Sequence, residues 1–197
     1  MAKIIAISNQ KGGVGKTTTS VNLAACLGKM GKKTLLVDAD PQGNATSGVA
    51  IDKSKVKFST YSILVDGAKA EQCVLTTPYD NLHILPSSLD LAAAELEIAE
   101  KPHREALLKN ALLPIKQYYD YIIIDCPPSL GLITANALTV ADTFLVPIQC
   151  EYYALEGLSQ LLSTVRTVKQ LYNEHLELEG VIYTMYDSRL KLNQQVI

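Results

Sequence analysis

Gln10-Lys11-Gly12-Gly13-Val14-Gly15-Lys16-Thr17-Thr18-Thr19, QKGGVGKTTT in one-letter code, decides how the rest of the chain is read. Gly12, Gly13 and Gly15 let the backbone curl until successive N–H groups point at one centre, and phosphate oxygens are what such a concavity holds. Lys16 is placed to reach β- and γ-phosphates, and the Thr17 hydroxyl to ligate Mg²⁺. A helix beginning at Lys16 adds its positive end, with Val14 and Thr18 on either side of the turn. The usual spacing, G-x-x-x-x-G-K-[ST], has glycine where this chain has Gln10. It also carries one lysine, whereas here Lys11 stands as a second at the mouth of the loop.

Outward from the loop, periods of two and of 3.6 residues alternate. Lys3–Ser8 is a β-branched strand running into the loop, and Lys16 to about Lys29 a helix with Val21, Leu23, Ala24 and Leu27 inward, stopped by Gly31. TLLVDAD is a second strand. Residues 41–58, rich in Gly, Asn, Ser and Lys, read as a loop, after which Thr60 caps a short helix to Leu64. NLHILPS is a third strand. Helices Asp90–Glu100 and Arg104–Tyr118 are separated by Pro102, the latter with Leu107, Leu108, Ala111, Leu112 and Ile115 on one face. YDYIIIDCPPS is a fourth strand, apolar throughout as a strand covered on both faces must be. A helix near Leu130–Ala137, the strand TFLVPIQ, a helix Tyr153–Leu171 striped by Leu155, Leu158, Leu162, Val165 and Val168, and a sixth strand LEGVIYTMY follow. Such alternation predicts an α/β fold: one doubly wound, mostly parallel sheet with helices on both faces, in a single domain over residues 1–197. The final LKLNQQVI reads as the opening turns of another helix without a cap, so a C-terminal truncation is expected.

Composition narrows the function classes. The 197 residues are 48% apolar and 19% charged, with a net charge of −2, which suits one domain with a sizeable core and gives no global signal for nucleic acid. Cys26, Cys73, Cys126 and Cys150 form no C-x-x-C pair and do not cluster with His83, His103 or His175, which excludes a zinc or disulfide framework and fits a cytoplasmic protein. No apolar run is long enough to span a bilayer, and no membrane partner is expected.

Three carboxylates carry the remaining chemistry. Asp125 closes the apolar YIIID, at the strand end where open α/β sheets bind ligands, and is suited to hold Mg²⁺, in part through water. Asp38 and Asp40 flank one residue at the end of the second strand, so both are expected to face the nucleotide. One of them can orient an attacking water, since the loose transition state of phosphoryl transfer asks for positioning more than basicity.

Together the loop KGGVGKT, the segment DADPQGN and the strand IIIDCPP resemble the deviant Walker-A P-loop ATPases, and VPIQCEYYALEGL narrows the resemblance to the ParA/Soj branch, the chromosome- and plasmid-partition ATPases. The resemblance runs the length of the chain. It implies ATP and Mg²⁺ as cofactors, with Gly12, Gly13, Val14, Gly15, Lys16, Thr17 and Thr18 around the phosphates and Thr17, Asp38 and Asp125 around the metal. Catalysis would rest on Lys11, Lys16 and Asp40. Lys11 would be the signature lysine that reaches the partner's phosphates in a nucleotide-sandwich homodimer, and Asp40 the water-positioning carboxylate. A ParB-type centromere-binding partner and nucleoid DNA, bound without sequence preference, are implied as well. Arg189 matches a basic position of the family. With Lys191, and with Arg166 and Lys169 earlier, it makes a candidate phosphate-backbone contact. A MinD-like division-site ATPase would carry a membrane-binding amphipathic helix, and a nitrogenase-iron-protein-like reductase a cluster cysteine several residues beyond Asp125, where this chain has Cys126. An inert interaction protein on the same fold would have no need of Lys16, Thr17, Asp40 and Asp125.

Overall fold

The computed structural model describes residues 2–150, 154–187 and 189, the side chains of 154–156 excepted. Seven strands form one sheet in the order β3-β4-β2-β5-β1-β6-β7. They are β1 (Lys3–Ile7), β2 (Thr34–Asp38), β3 (Leu75–Thr76), β4 (Leu82–Leu85), β5 (Tyr121–Asp125), β6 (Thr143–Gln149) and β7 (Glu177–Thr184). All neighbours pair in parallel except β3 with β4, which is antiparallel. β1 lies between β5 and β6, so the loops leaving β1, β2 and β5 gather on one rim.

Both faces of the sheet are buried, which is why the central strands are apolar without alternation. Ile5, Ile7, Leu36, Ile84 and Ile123 face one side, where α1 (Lys16–Lys29) and α2 (Asn44–Gly48) lie. Ile4, Ala6, Leu35, Val37, Ile122 and Ile124 face the other. That side is covered by α3 (Thr60–Leu64), α4 (Ala70–Cys73), α5 (Leu91–Ile98), α6 (Leu107–Leu112), α7 (Leu132–Val140) and α8 (Ala154–Leu171). Each fully buried Ile or Leu contributes roughly 1.5–3 kcal/mol over leaving it exposed.

Helix α1 keeps its predicted span and turns its predicted residues to the core, with a row of small residues packed closest. Val21, Leu23 and Leu27 are half-buried, and the fully buried row is Ser20, Ala24 and Gly28. Small residues there let the helix axis come close: a Cβ at Gly28 would lie 2.5 Å from the Asp80 carbonyl oxygen. The helix ends in a Schellman pair, Gly31 N–H to Gly28 O and Lys32 N–H to Leu27 O, with Gly31 at φ +80°.

Other expectations are corrected. Residues 41–58 are not all loop: α2 and a 3-10 turn at Lys53–Lys55 lie within them. Ser59, not Thr60, caps α3, exchanging hydrogen bonds with Ser62 in a capping box. The helix expected over Arg104–Tyr118 is a six-residue α6 and a separate turn at Lys116–Tyr118. His103 with φ +53° ahead of it and Pro114 behind confine it. α4 and β3 were not foreseen. The last turns expected from LKLNQQVI, the start of the helix at Tyr153 and the side chain of Leu155 lie outside what is described. Among the described residues no helix is long and apolar enough to cross a membrane.

Candidate functional site

Chain exit from β1 is set by Asn9, which is 2% exposed. Its Nδ2 donates to the Pro147 carbonyl at 2.7 Å, and its Oδ1 accepts the Lys11 amide at 3.1 Å. Beyond it Gly13 and Gly15 take φ +75° and +88°, left-handed values that an L side chain resists. From the far end of the chain, the Thr184 hydroxyl donates to the Val14 carbonyl at 2.8 Å, and its methyl sits 3.4 Å from where a Cβ on Gly15 would stand.

Lys16 is 7% exposed, and its ammonium donates to the Lys11 carbonyl at 3.0 Å. Burial lowers its pKa; the charges of Asp125, Cys126 and Asp40 oppose that. One turn on, the Ser20 hydroxyl donates to Asp125 Oδ1 at 2.9 Å. Asp125 Oδ2 is buried with no hydrogen-bond partner. Burial, then the neighbouring Asp38 charge, pushes this carboxyl up to about 7, against the hydroxyls of Thr17 and Ser20.

Lys16 and the loop around it border a cavity of about 280 Å³. Gly12, Gly13, Gly15, Lys16, Thr17 and Thr18 form one wall; Asp40, Asn44, Pro128 and Met185 form the rest. Asp40 is half-exposed, its Oδ1 accepting the Gln42 amide at 2.9 Å. Lys11 and Val14 belong to the loop but not to this lining. Val14 is buried, and the Lys11 Cβ sits by Gly157 at the start of α8, where a glycine Cβ would come within 3.9 Å.

Asp38 is fully buried. Its Oδ2 accepts the Thr46 amide and the Thr46 hydroxyl, each at 2.7 Å, and Oδ1 accepts the Asp40 amide at 3.2 Å. Burial raises it to about 6, with those hydrogen bonds pulling the other way. Both of its oxygens are held by the chain itself, and like Asp125 it lies outside the cavity wall.

The donor set fits a hard divalent ion that arrives with phosphates. Among the described residues no three His, Cys, Asp or Glu side chains gather to hold a metal alone. What is present is the orphaned Asp125 Oδ2 and the Thr17 hydroxyl, oxygen donors of the kind Mg²⁺ uses while keeping several waters.

Three of the four basic residues lie within the described part of the chain. Arg189 forks onto Asp187, Nε to Oδ1 at 2.9 Å and Nη2 to Oδ2 at 2.7 Å, and Lys169 donates to the Leu176 carbonyl at 2.6 Å. Arg166 is exposed on α8, and Lys191 lies outside the described residues. Sequence reading missed Asn9, Ser20, Asn44, Thr46, Thr184 and Met185. Ser20 had a signal, a small polar residue four after Lys16 on the inward row. Thr184 had none, being 170 positions from its partner.

A family profile described as an AAA domain matches residues 2–178. The chain is 59% identical to the sporulation initiation inhibitor protein Soj of Bacillus subtilis (strain 168), over all of this chain and 78% of that protein. It is 51% identical to the chromosome partitioning protein ParA of Myxococcus xanthus (strain DK1622), over all of this chain and 70% of that one. A solved structure titled cobyrinic acid a,c-diamide synthase from Mycobacterium smegmatis, with bound ATP analog and magnesium, superposes with a TM-score of 0.94 at 40% identity, covering all of this chain and 80% of that one.

Proposed function

The chain belongs to the ParA/Soj family of partition proteins, AAA-domain P-loop ATPases, and from that membership we propose that it is an Mg²⁺-dependent partition ATPase that pairs on ATP, holds DNA as a dimer and lets go on hydrolysis. The observation that carries the reading is the convergence on one cavity of Lys16 and Thr17 from the loop and Asp40 from the second strand. Soj and ParA relatives support the partition role, and the solved relative with ATP analog and magnesium supports the cofactors.

In this reading the curled backbone of Gly13–Thr17 and the ammonium of Lys16 hold the β- and γ-phosphates. Lys16 gives up its bond to the Lys11 carbonyl to do so. Thr17 and Asp125 would hold Mg²⁺, which would supply positive charge against the phosphates. Asp40 orients the attacking water. Lys11, on the loop but outside its own cavity wall, lends its cation to the partner's γ-phosphate, which makes pairing depend on the triphosphate. A ParB-type protein speeds hydrolysis. Arg189 and Lys191, brought together across the dimer, contact the DNA backbone, so DNA affinity falls steeply with salt; the Asp187 fork makes Arg189 a weaker donor than sequence alone suggested.

Solution scattering and ATP turnover test this together. Asp40→Ala is expected to form ATP dimers that persist with hydrolysis nearly gone, and Lys11→Ala to bind ATP and stay monomeric. ATP-driven pairing in Lys11→Ala would reject the role in trans, and wild-type turnover in Asp40→Ala would reject that carboxylate.

A further inference from the structure

We propose that Thr46 is a positioning residue for hydrolysis, holding Asp40 in place through Asp38; this rests on the reading of Asp40 as the water-orienting carboxylate. Four polar residues meet beneath the Asp40 turn, and Asp38, Thr46, Thr60 and Ser87 are all fully buried. Thr46 stands at their centre. It gives Asp38 Oδ2 two hydrogen bonds, from its amide and its hydroxyl. The same hydroxyl oxygen accepts the Ser87 amide at 3.0 Å, from the segment leaving β4. Asp38 passes the restraint on, its Oδ1 taking the Asp40 amide. The Thr60 hydroxyl fixes the Asp38 carbonyl at 2.7 Å from α3.

Asp40 itself has local restraints only, the Gln42 amide on its carboxylate and the Gly43 amide on its carbonyl. Those shape a turn but do not tie it to the sheet. The Ala39 amide ties the start of the turn to the Asp125 carbonyl at the end of β5; the tie that reaches the Asp40 amide runs from the ends of β2 and β4 through Thr46 and Asp38, and so does the seating of α2, whose Asn44 lines the phosphate cavity. A carboxylate that must hold a water in line with a departing phosphate loses rate on small displacements. Two donors on one carboxylate oxygen, in a region without solvent, are the strong kind of hydrogen bond, and removing one weakens the tie by roughly tenfold or more.

Thr46→Val keeps shape and amide and deletes only the hydroxyl; Thr46→Ser restores it. In the full chain, Thr46→Val is expected to lower kcat for ATP by roughly tenfold or more while KM and the affinity for a fluorescent ATP analogue stay within about threefold, and Thr46→Ser to return kcat toward wild type. Without nucleotide, amide exchange over residues 39–46 should quicken by a similar factor in the Val variant and not elsewhere. In an Asp40→Ala background, single-turnover cleavage should show no added loss from Thr46→Val, because both act through one group. Should the Val variant not accumulate, Thr46→Ala carries the same comparison. Wild-type kcat in these variants with Asp40→Ala inactive, a loss confined to KM, additive losses, or unchanged exchange over 39–46 would each overturn the proposal alone. A wild-type chain that binds ATP without turning it over would overturn the reading of Asp40, and this inference with it.

Discussion

Two ends of the sheet contrast. On the rim after β1, β2 and β5, a set of buried polar side chains is matched partner by partner: Asn9 to Lys11 and Pro147, Ser20 to Asp125, Thr46 to Asp38 and Ser87. On the flank, β7 is the last strand of the sheet and carries Leu178 at 54%, Ile182 at 38% and Tyr183 at 40% exposure. The rim is assembled from short polar side chains whose partners are specified one by one, so a single lost group leaves a buried atom unsatisfied at a cost of about 1–3 kcal/mol. The flank, as described, spends apolar side chains on solvent, and little folding energy hangs on any one of them. Substitutions on the two should therefore differ in size and in kind.

The largest expected effect is Lys16→Ala. Its ammonium is the cation of the cavity wall among the described residues, so affinity for ATP should fall by roughly a hundredfold or more while the melting temperature hardly moves. Calorimetric titration reads it; affinity within threefold of wild type would place the phosphates elsewhere. Gly15→Ala comes next. Its φ of +88° is one an L side chain resists, while the Thr184 methyl at 3.4 Å would only touch the new Cβ, and a cost of about 1–2 kcal/mol should lower the melting point by a few degrees in a chain of this size.

The third prediction concerns pH. Asp38 and Asp125 are raised to about 6 and about 7 from an ordinary 3.8, so the native state keeps protons that the unfolded chain has released. Their contribution to stability is full below about pH 4 and is lost as pH rises through 6 to 7. The nucleotide-free protein should lose stability between about pH 4 and pH 7, and Asp125→Asn should shrink that loss. An unchanged pH slope in the variant would show that the Asp125 carboxyl is not desolvated. Smallest of all, Leu178→Glu on β7 should change stability by no more than about 0.5 kcal/mol while lowering self-association in sedimentation at high concentration. A loss of several kcal/mol would mean that the flank is as closely fitted as the rim.

Much of the fold was legible because its signals are local. The loop glycines, Gly31 and the unbroken apolar runs of β2 and β5 each act over a few residues. Helix α2 was missed because Asn-Ala-Thr-Ser-Gly is a loop composition; its five residues are held by Asp38, eight positions earlier, rather than by propensity. α6 was over-extended because apolar spacing continued past the point where backbone strain and Pro114 stop it. At the site, motif and strand ends were enough to expect Lys16, Thr17 and Asp40 close together, and the structure brings these three to one cavity. The hydrogen bonds of Asp38 were not legible for a tertiary reason: its partners, Thr46 and through it Ser87, come together only when β2 and β4 pair.

The clasp between Thr184 and Val14 sets a timetable for synthesis. A ribosome releases residue 14 long before residue 184, and β1 itself waits for β5 as its neighbour. The nascent glycine turn therefore emerges early and stays unfastened until the seventh strand arrives, so the chain acquires its finished grip on phosphate among the last acts of folding rather than the first.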